Sequence, residues 1–374
     1  MNPRLVALEF IGNCLSLESP ERYLTLQQQM QADALSWEAV VELANNHLLA
    51  PALWISLQKK GLSRELPSDL ANYLSDLHGL SIERNIKLRE QLLEAVGQLN
   101  QSGITPVLLK GAAHLVSSMY ADPGVRIMSD IDVLVDRQQT DAAYDCLLGL
   151  DYKPDESCLD DYGHDHHHCP PLFRPGDYAT VEIHRNLMDG QSKILSASEA
   201  LADARAVNYE GLAMKVLSPT HRILHNLVHS QLVDAHYMAG VIPLRSLNEV
   251  AVESLHASEP PDWKFISGRL LQNGHAAVLH AYLYMANSLF DMPWPPNQRT
   301  TLGARLYSVR CKRQLAWDWF TIWGIRWGRF SATNIRKLYP CGDGVIELNR
   351  ARAHYARQML VRYVTRIFAP ASSD

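Results

Sequence analysis

The sequence predicts a mixed α+β protein, mostly helical, in which a small α/β module lies between an N-terminal and a C-terminal helical region. Three observations lead there. Apolar residues recur at three-to-four spacing from Leu24 to about Asn100. Strand-like and helix-like segments then alternate as far as Leu187, and helical spacing returns after Ser218. The expected division is 1–100 for the first helical region, 101–212 for the module and 213–374 for the second helical region.

In the first region LTLQQQMQADAL, WEAVVELANNHLLAPALWISLQKKGL and SDLANYLSDLHGLSIERNIKLREQLLEAVGQLNQSG carry the helical pattern, the last stopping at Gly103. Pro51, inside HLLAPALW, is expected to break or kink its helix. In the module ITPVLL reads as a strand, LKGAAHLVSSMY as a strand end running through glycine into a helix, and SDIDVLV as a second strand. QTDAAYDCLLGL reads as a helix with Thr140 at its N-cap and Gly149 at its stop, and TVEIHRNL as a third strand. The second region opens at Ser218-Pro219, a cap followed by proline at the first helical position. PLRSLNEVAVESL, GHAAVLHAYLYMANSLF and CKRQLAWDWFTIWGIRWG continue it, separated by the proline-rich breaks EPPDW and DMPWPPNQ, and the tail PASSD is expected to fray.

Composition narrows the class of function. At 374 residues, 47% hydrophobic and 20% charged, the chain is long enough for about two or three domains with substantial cores. A formal net charge of -5 argues against bulk nucleic-acid binding, so an RNA partner is not favoured. The six cysteines are scattered without a CxxC pair, which suits a reducing cytoplasm and neither a disulfide framework nor a zinc ribbon. No stretch approaches the roughly 20 apolar residues of a membrane span and no signal-like leader is visible, so a soluble cytoplasmic protein is expected.

The chemistry is carried by RIMSDIDVLVD, Arg126 to Asp136. Side chains alternate along a strand, so Asp130 and Asp132 share one face while Ile131, Val133 and Val135 share the other. Two ionised carboxylates on one face repel each other unless a cation lies beside them, and a hard divalent ion such as Mg²⁺ meets that need. In TVEIHRN the same alternation puts Glu182 and His184 on one face. If the two strands are neighbours, Glu182 joins the aspartates to hold two metal ions about 4 Å apart, as in in-line phosphoryl chemistry. Taken alone, SDID reads more readily as a strand entry with one turn-forming aspartate.

The upstream segment shifts that balance. Lys110-Gly111 lies at a strand-to-helix junction, where backbone N–H groups point outwards, the glycine admits a phosphate and the lysine adds charge. Arg126 offers a bidentate fork to the same phosphates. The plain alternatives are a solvated Lys110 and an Arg126 paired with Asp122 or Asp130.

The order LLKGAAHL, YADPGVRIMSDIDVLV and VEIHRNL resembles the uncharacterised nucleotidyltransferase family of the polymerase β-type superfamily. The flanks WEAVVELANNHLLAPALW, IERNIKLREQLLEAV and LSPTHRILHNLVHSQ are similar to that family's helical leader and follow-on, and the likeness is weakest beyond about Thr300. The resemblance implies that Asp130, Asp132 and Glu182 bind two Mg²⁺ ions, with Mn²⁺ as a substitute. It implies that Glu182 takes the acceptor's proton, that Lys110, Gly111 and Arg126 hold the triphosphate, and that His184 and His229 belong to the nucleotide site. One departure stands out: better-characterised relatives carry Gly-Ser where this chain has Lys-Gly-Ala-Ala, so no serine hydroxyl is available at that turn.

GHDHHHCPP, Gly163 to Pro171, suggests zinc through His164, His166, His167, His168 and Cys169. Contiguous histidines in extended chain point in different directions, whereas a tetrahedral site prefers spaced ligands, so the tract reads instead as pocket rim, with His166 and His168 on one face. His221, His225 and His229 recur every four residues along one helix face and read as packed against the module, His229 nearest the cleft. Trp317, Trp319, Trp323 and Trp327 read as core. The sequence therefore points to an enzyme that moves a nucleoside monophosphate from an NTP to an acceptor it does not name. An inert nucleotide- or partner-binding module and a metal-dependent hydrolase built on the histidine tract are the alternatives.

Overall fold

The computed structural model describes residues 2–16, 20–31, 35–117, 120–154, 166–257, 259–317 and 344–355. It begins with helices α1 (Pro3–Leu15), α2 (Pro20–Met30), α3 (Trp37–Asn46), α4 (Ala50–Lys59) and the long α5 (Ser68–Gln101). The break in HLLAPALW falls just before Pro51: Leu48 turns to φ 55°, and the proline sits in the first turn of α4, where its missing N–H costs nothing. Helix α1 lies before the first periodic stretch of the sequence; its Asn2 cap accepts a hydrogen bond from the Arg4 N–H.

The module follows as β1 (Val107–Leu108), α6 (Lys110–His114), β2 (Asp130–Leu134), α7 (Thr140–Leu148), β3 (Lys153–Pro154), β4 (Leu172–Phe173), β5 (Thr180–His184), α8 (Ala197–Ala202), β6 (Arg205–Tyr209) and β7 (Leu212–Val216). Seven strands form one mixed sheet in the order β3-β4-β5-β2-β1-β7-β6. The three strands expected from sequence hold its centre. The β6–β7 hairpin, closed by Glu210 and Gly211 at positive φ, extends the sheet through Val216, past the expected boundary at 212. Thr140 is the first residue of α7 rather than its cap, because Asp136 caps a short 3₁₀ turn just ahead of it.

Further helices are α9 (Pro219–Val228), α10 (His236–Ala239), α11 (Leu244–His256), α12 (Trp263–Gln272), α13 (Ala276–Phe290) and α14 (Leu302–Ala316), and residues 345–355 are helical too. Ser218 caps α9 through the His221 N–H with Pro219 in the first turn, and a π-helical turn, His229–Val233, continues it. Trp317 ends α14 and is exposed, not core; Trp319, Trp323, Trp327 and the PASSD tail lie outside the described residues. Among those residues Cys14, Cys146, Cys169 and Cys311 are free thiols, and no helix is long and apolar enough to cross a membrane. Cys158, Cys341 and His164 also lie outside.

Two cores hold the chain together. One is shared by the N- and C-terminal helices, with Phe10 and Ile11 of α1 packed in the same cluster as Tyr282 and Phe290 of α13. The other lies on one face of the sheet, where Ile131, Val133, Val181 and Ile183 meet Leu88, Leu92, Val96 and Leu99 of α5. Helix α5 belongs to both, since Leu70 and Leu74 near its start enter the first core. It also anchors the approach to β2: Asn85 donates to the carbonyls of Pro123 and Arg126, and Arg84 to that of Met128.

Candidate active site

Strands β2 and β5 are parallel neighbours, with Asp130 opposite Thr180, Asp132 opposite Glu182 and Leu134 opposite His184. The alternation read from sequence therefore holds on both strands at once. Ile131, Val133, Val181 and Ile183 are buried on the α5 side, and Asp130, Asp132, Glu182 and His184 share the other face.

Asp132 is wholly buried. Its Oδ1 accepts from Lys110 Nζ at 3.0 Å and from His184 Nε2 at 2.8 Å, whereas Oδ2 is buried with no hydrogen-bond partner. Burial works to raise the Asp132 pKa, but the Lys110 charge and the His184 hydrogen bond outweigh it and hold the carboxyl well below its ordinary value. His184 responds in the opposite sense: burial lowers its pKa, but the bonds to Asp132 and Glu182 raise it above the ordinary imidazole value. Glu182 is likewise lowered, burial being overcome by its bond to His184. Asp130 is raised, by burial first and then by the Asp132 charge. The site thus holds two firmly ionised carboxylates and a third that is more basic.

Lys110 sits where β1 hands over to α6 and adopts φ 43°, an uncommon backbone for a side-chain-bearing residue and a form of strain that concentrates at functional sites. It is not an idle surface lysine: its ammonium is bound to Asp132, and the Asp132 and Asp130 charges overcome burial to raise its pKa. Gly111 leaves room for Arg126, whose Nη1 lies 2.3 Å from where a Cβ would stand. Arg126 pairs with neither Asp122 nor Asp130; its Nε donates to Glu249 Oε1 of α11 at 2.9 Å. Helix α6 spans only five residues, so the expected cradle rests on Lys110, Gly111 and Arg126 more than on a helix terminus.

A cleft of about 600 Å³ opens beside them, lined by Lys110, Arg126, Ser129 and Asp130 on the module side and by His225, His229, Arg245 and Glu249 on the helical side. Asp132, Glu182 and His184 share the sheet face of Asp130 but do not line the cleft. His184, expected in the nucleotide site, is fully buried and supports Asp132 instead of reaching the cleft. His229 does line it, with Nδ1 3.2 Å from Asp234 Oδ2. His221 turns away toward Asp203, so the four-residue ladder divides between two environments.

The histidine tract departs from its extended reading. Residues 166–167 form a bend, and the rings of His166, His167 and His168 gather with centroids 4.4–4.5 Å apart. His168 bridges to His184, and its Nε2 lies 3.5 Å from Glu182 Oε2. The tract thus adjoins Glu182 and His184 along β5 and does not line the cleft. Burial is the main cause that lowers the pKa of His168 and takes that of His167 down to about 4.

Sequence reasoning missed the helical wall. Arg245, Glu249 and Glu253 recur at four-residue spacing on α11, and Arg245 and Arg126 both bind the Glu249 carboxylate. Burial would raise the Glu249 pKa, but these arginines bring it down to about 2. The legible signal was a charged row interrupting the apolar face of NEVAVESL. His225, which its four-residue spacing places against the module, is buried and also lines the cleft, and its Nε2 has no hydrogen-bond partner.

A sheet with carboxylates paired across parallel strands beside a cationic turn is the arrangement of a nucleotidyltransferase. The family model described as "Uncharacterised nucleotidyltransferase" matches residues 33–291, and the chain belongs to that family. The match takes in both strands, the Lys110 turn and the α9 and α11 wall. No curated protein matches the chain. An antigenic nucleotidyltransferase-like protein from Paracoccidioides brasiliensis, known as a crystal structure, is similar at 16% identity and a TM-score of 0.31. That alignment covers 55% of this chain and 93% of the other.

Proposed function

We propose that the protein transfers a nucleoside monophosphate from an NTP to an acceptor hydroxyl or phosphate, releasing pyrophosphate, with Mg²⁺ at Asp130, Asp132 and Glu182. The observation that carries this reading is the Asp132–Glu182 pair across β2 and β5, with Asp132 Oδ2 buried and unpartnered. A carboxylate oxygen removed from water without a donor calls for a cation, and an all-oxygen set from three acids suits a hard one. Mn²⁺ would substitute. Bound there, the ions would neutralise charge on the attacking and leaving oxygens.

The protein's own groups supply alignment. Lys110 and Arg126 would hold the triphosphate on the module wall, and Gly111 would let it approach the backbone. His184 orients Asp132, and Glu182 stays ionised to receive the acceptor's proton. As the acceptor oxygen bonds to the α-phosphorus, the bond to the bridging oxygen breaks and pyrophosphate departs with its electron pair. His229 and the α11 residues form the acceptor side. Incubation with each α-labelled NTP and Mg²⁺ in cell extract, comparing wild type with Asp130→Asn/Asp132→Asn, tests the reading. Label reaching an acceptor only with the wild type supports it; no transfer, or equal transfer by both, ends it.

One observation favours a second reading. Lys110 and a protonated His184 already offset the Asp132 charge, so the site is largely balanced by the protein itself. On that reading the module binds nucleotide or a partner and does no chemistry. NTP binding that is insensitive to Mg²⁺, with no transfer, would select it.

A further inference from the structure

We infer that His166, His167 and His168, backed by Asp189, form a binding site for a borderline transition cation, Zn²⁺ by its ligand chemistry, beside the carboxylate site and with its own ligands. One ligand nitrogen from each ring lies within 4.8 Å of the others. Tetrahedral zinc at about 2.0–2.1 Å from each nitrogen needs them about 3.3 Å apart, a closure within reach of small ring rotations. Imidazole nitrogen suits zinc, whereas the oxygen donors of Asp130, Asp132 and Glu182 suit magnesium.

Two further observations point to a ligand. His168 Nδ1 donates to the Cys169 carbonyl at 2.6 Å, which leaves Nε2 as the nitrogen that faces a metal. A ring fixed by its second nitrogen on a carbonyl is the arrangement that metal-ligating histidines adopt. Asp189 backs the other two rings, with Oδ2 2.8 Å from His167 Nδ1 and 3.5 Å from His166 Nε2.

The backbone holds the bend in place. The His167 N–H donates to Asp189 Oδ1, and the His167 carbonyl accepts from the N–H groups of both Arg185 and Asn186 at the end of β5. These contacts gather adjacent histidines that an extended chain would point apart.

The test is a zinc titration of the chelator-stripped full chain against a chromophoric competitor, with Co²⁺ spectra as a second readout. One Zn²⁺ per chain, bound more tightly than about 1 μM, with tetrahedral Co²⁺ bands, is expected. His166→Ala and His168→Gln should each weaken binding at least about tenfold, and Asp189→Asn about tenfold, with metal-free melting unchanged. Asp132→Asn should leave zinc affinity as it is. Weak binding of several equivalents, or affinity unmoved by the histidine variants, would mark adventitious capture and overturn the site. Loss of zinc with Asp132→Asn alone would assign it to the carboxylates and overturn it equally. None of these readouts requires nucleotide transfer.

Discussion

The two faces of the β2–β5 pair are made by alternate residues of the same ten, yet they obey opposite rules. Ile131, Val133, Val181 and Ile183 are buried against α5 and contribute cohesion through apolar area. Asp130, Asp132, Glu182 and His184 are drawn together at a cost in desolvation and repulsion, which Lys110 offsets. The first face determines whether the sheet exists, and the second determines what it does. Acid is tolerated in a strand here because its neighbours on either side supply the packing.

The sharpest way to break this contrast is to change one face at a time. Asp130→Asn/Asp132→Asn should reduce nucleotide transfer roughly a thousandfold or more, while circular dichroism shows the fold retained at a lowered melting temperature. The opposite face should behave in reverse: Ile183→Ala should cost about 2–5 kcal/mol of stability in denaturant titration, with transfer per folded molecule nearly unchanged at low temperature. If both variants lose both properties, the faces are not separable.

A third change probes the cleft wall. Glu249 has a folded pKa of about 2, below its ordinary value, so its stabilisation is present above about pH 4.5 and is lost as pH falls toward 2. Glu249→Gln should therefore remove roughly 3 kcal/mol at pH 7 and flatten the acid limb of stability between those pH values. The smallest effect is expected from Gly111→Ala. A Cβ there meets Arg126 Nη1 and Met128 Cε, so the guanidinium must move, and NTP affinity measured by titration should fall about tenfold, with a loss of stability smaller than that of Glu249→Gln. Unchanged NTP affinity would separate Arg126 from the phosphate site.

Legibility in the sequence followed the range of the interaction. Alternation along a strand and caps such as Ser218-Pro219 are local, and the structure places Asp130, Asp132, Glu182 and α9 accordingly. Strands β3 and β4 span two residues each, too few to show a period, and the β6–β7 hairpin carried its turn signal in Glu210-Gly211 without being read. The α11 wall was hidden because Glu249 sits on an otherwise apolar pattern and finds Arg126 more than a hundred residues away in sequence. The histidine bend was hidden for the same reason: the groups that hold it, Asp189 and the end of β5, come later in the chain.

The core shared by α1 and α13 sets an order on folding. Contacts such as Arg22 Nη1 of α2 to the Leu289 carbonyl span 267 residues, so this core is completed only when α13 has left the ribosome. The sheet and the second half of α5 need only the residues up to Val216 to complete their own cluster. Synthesis would then yield a settled module before the core between α1 and α13 closes. Pulsed hydrogen exchange during refolding should protect the β2 and β5 amides before those of α1, and simultaneous protection would show a single cooperative unit.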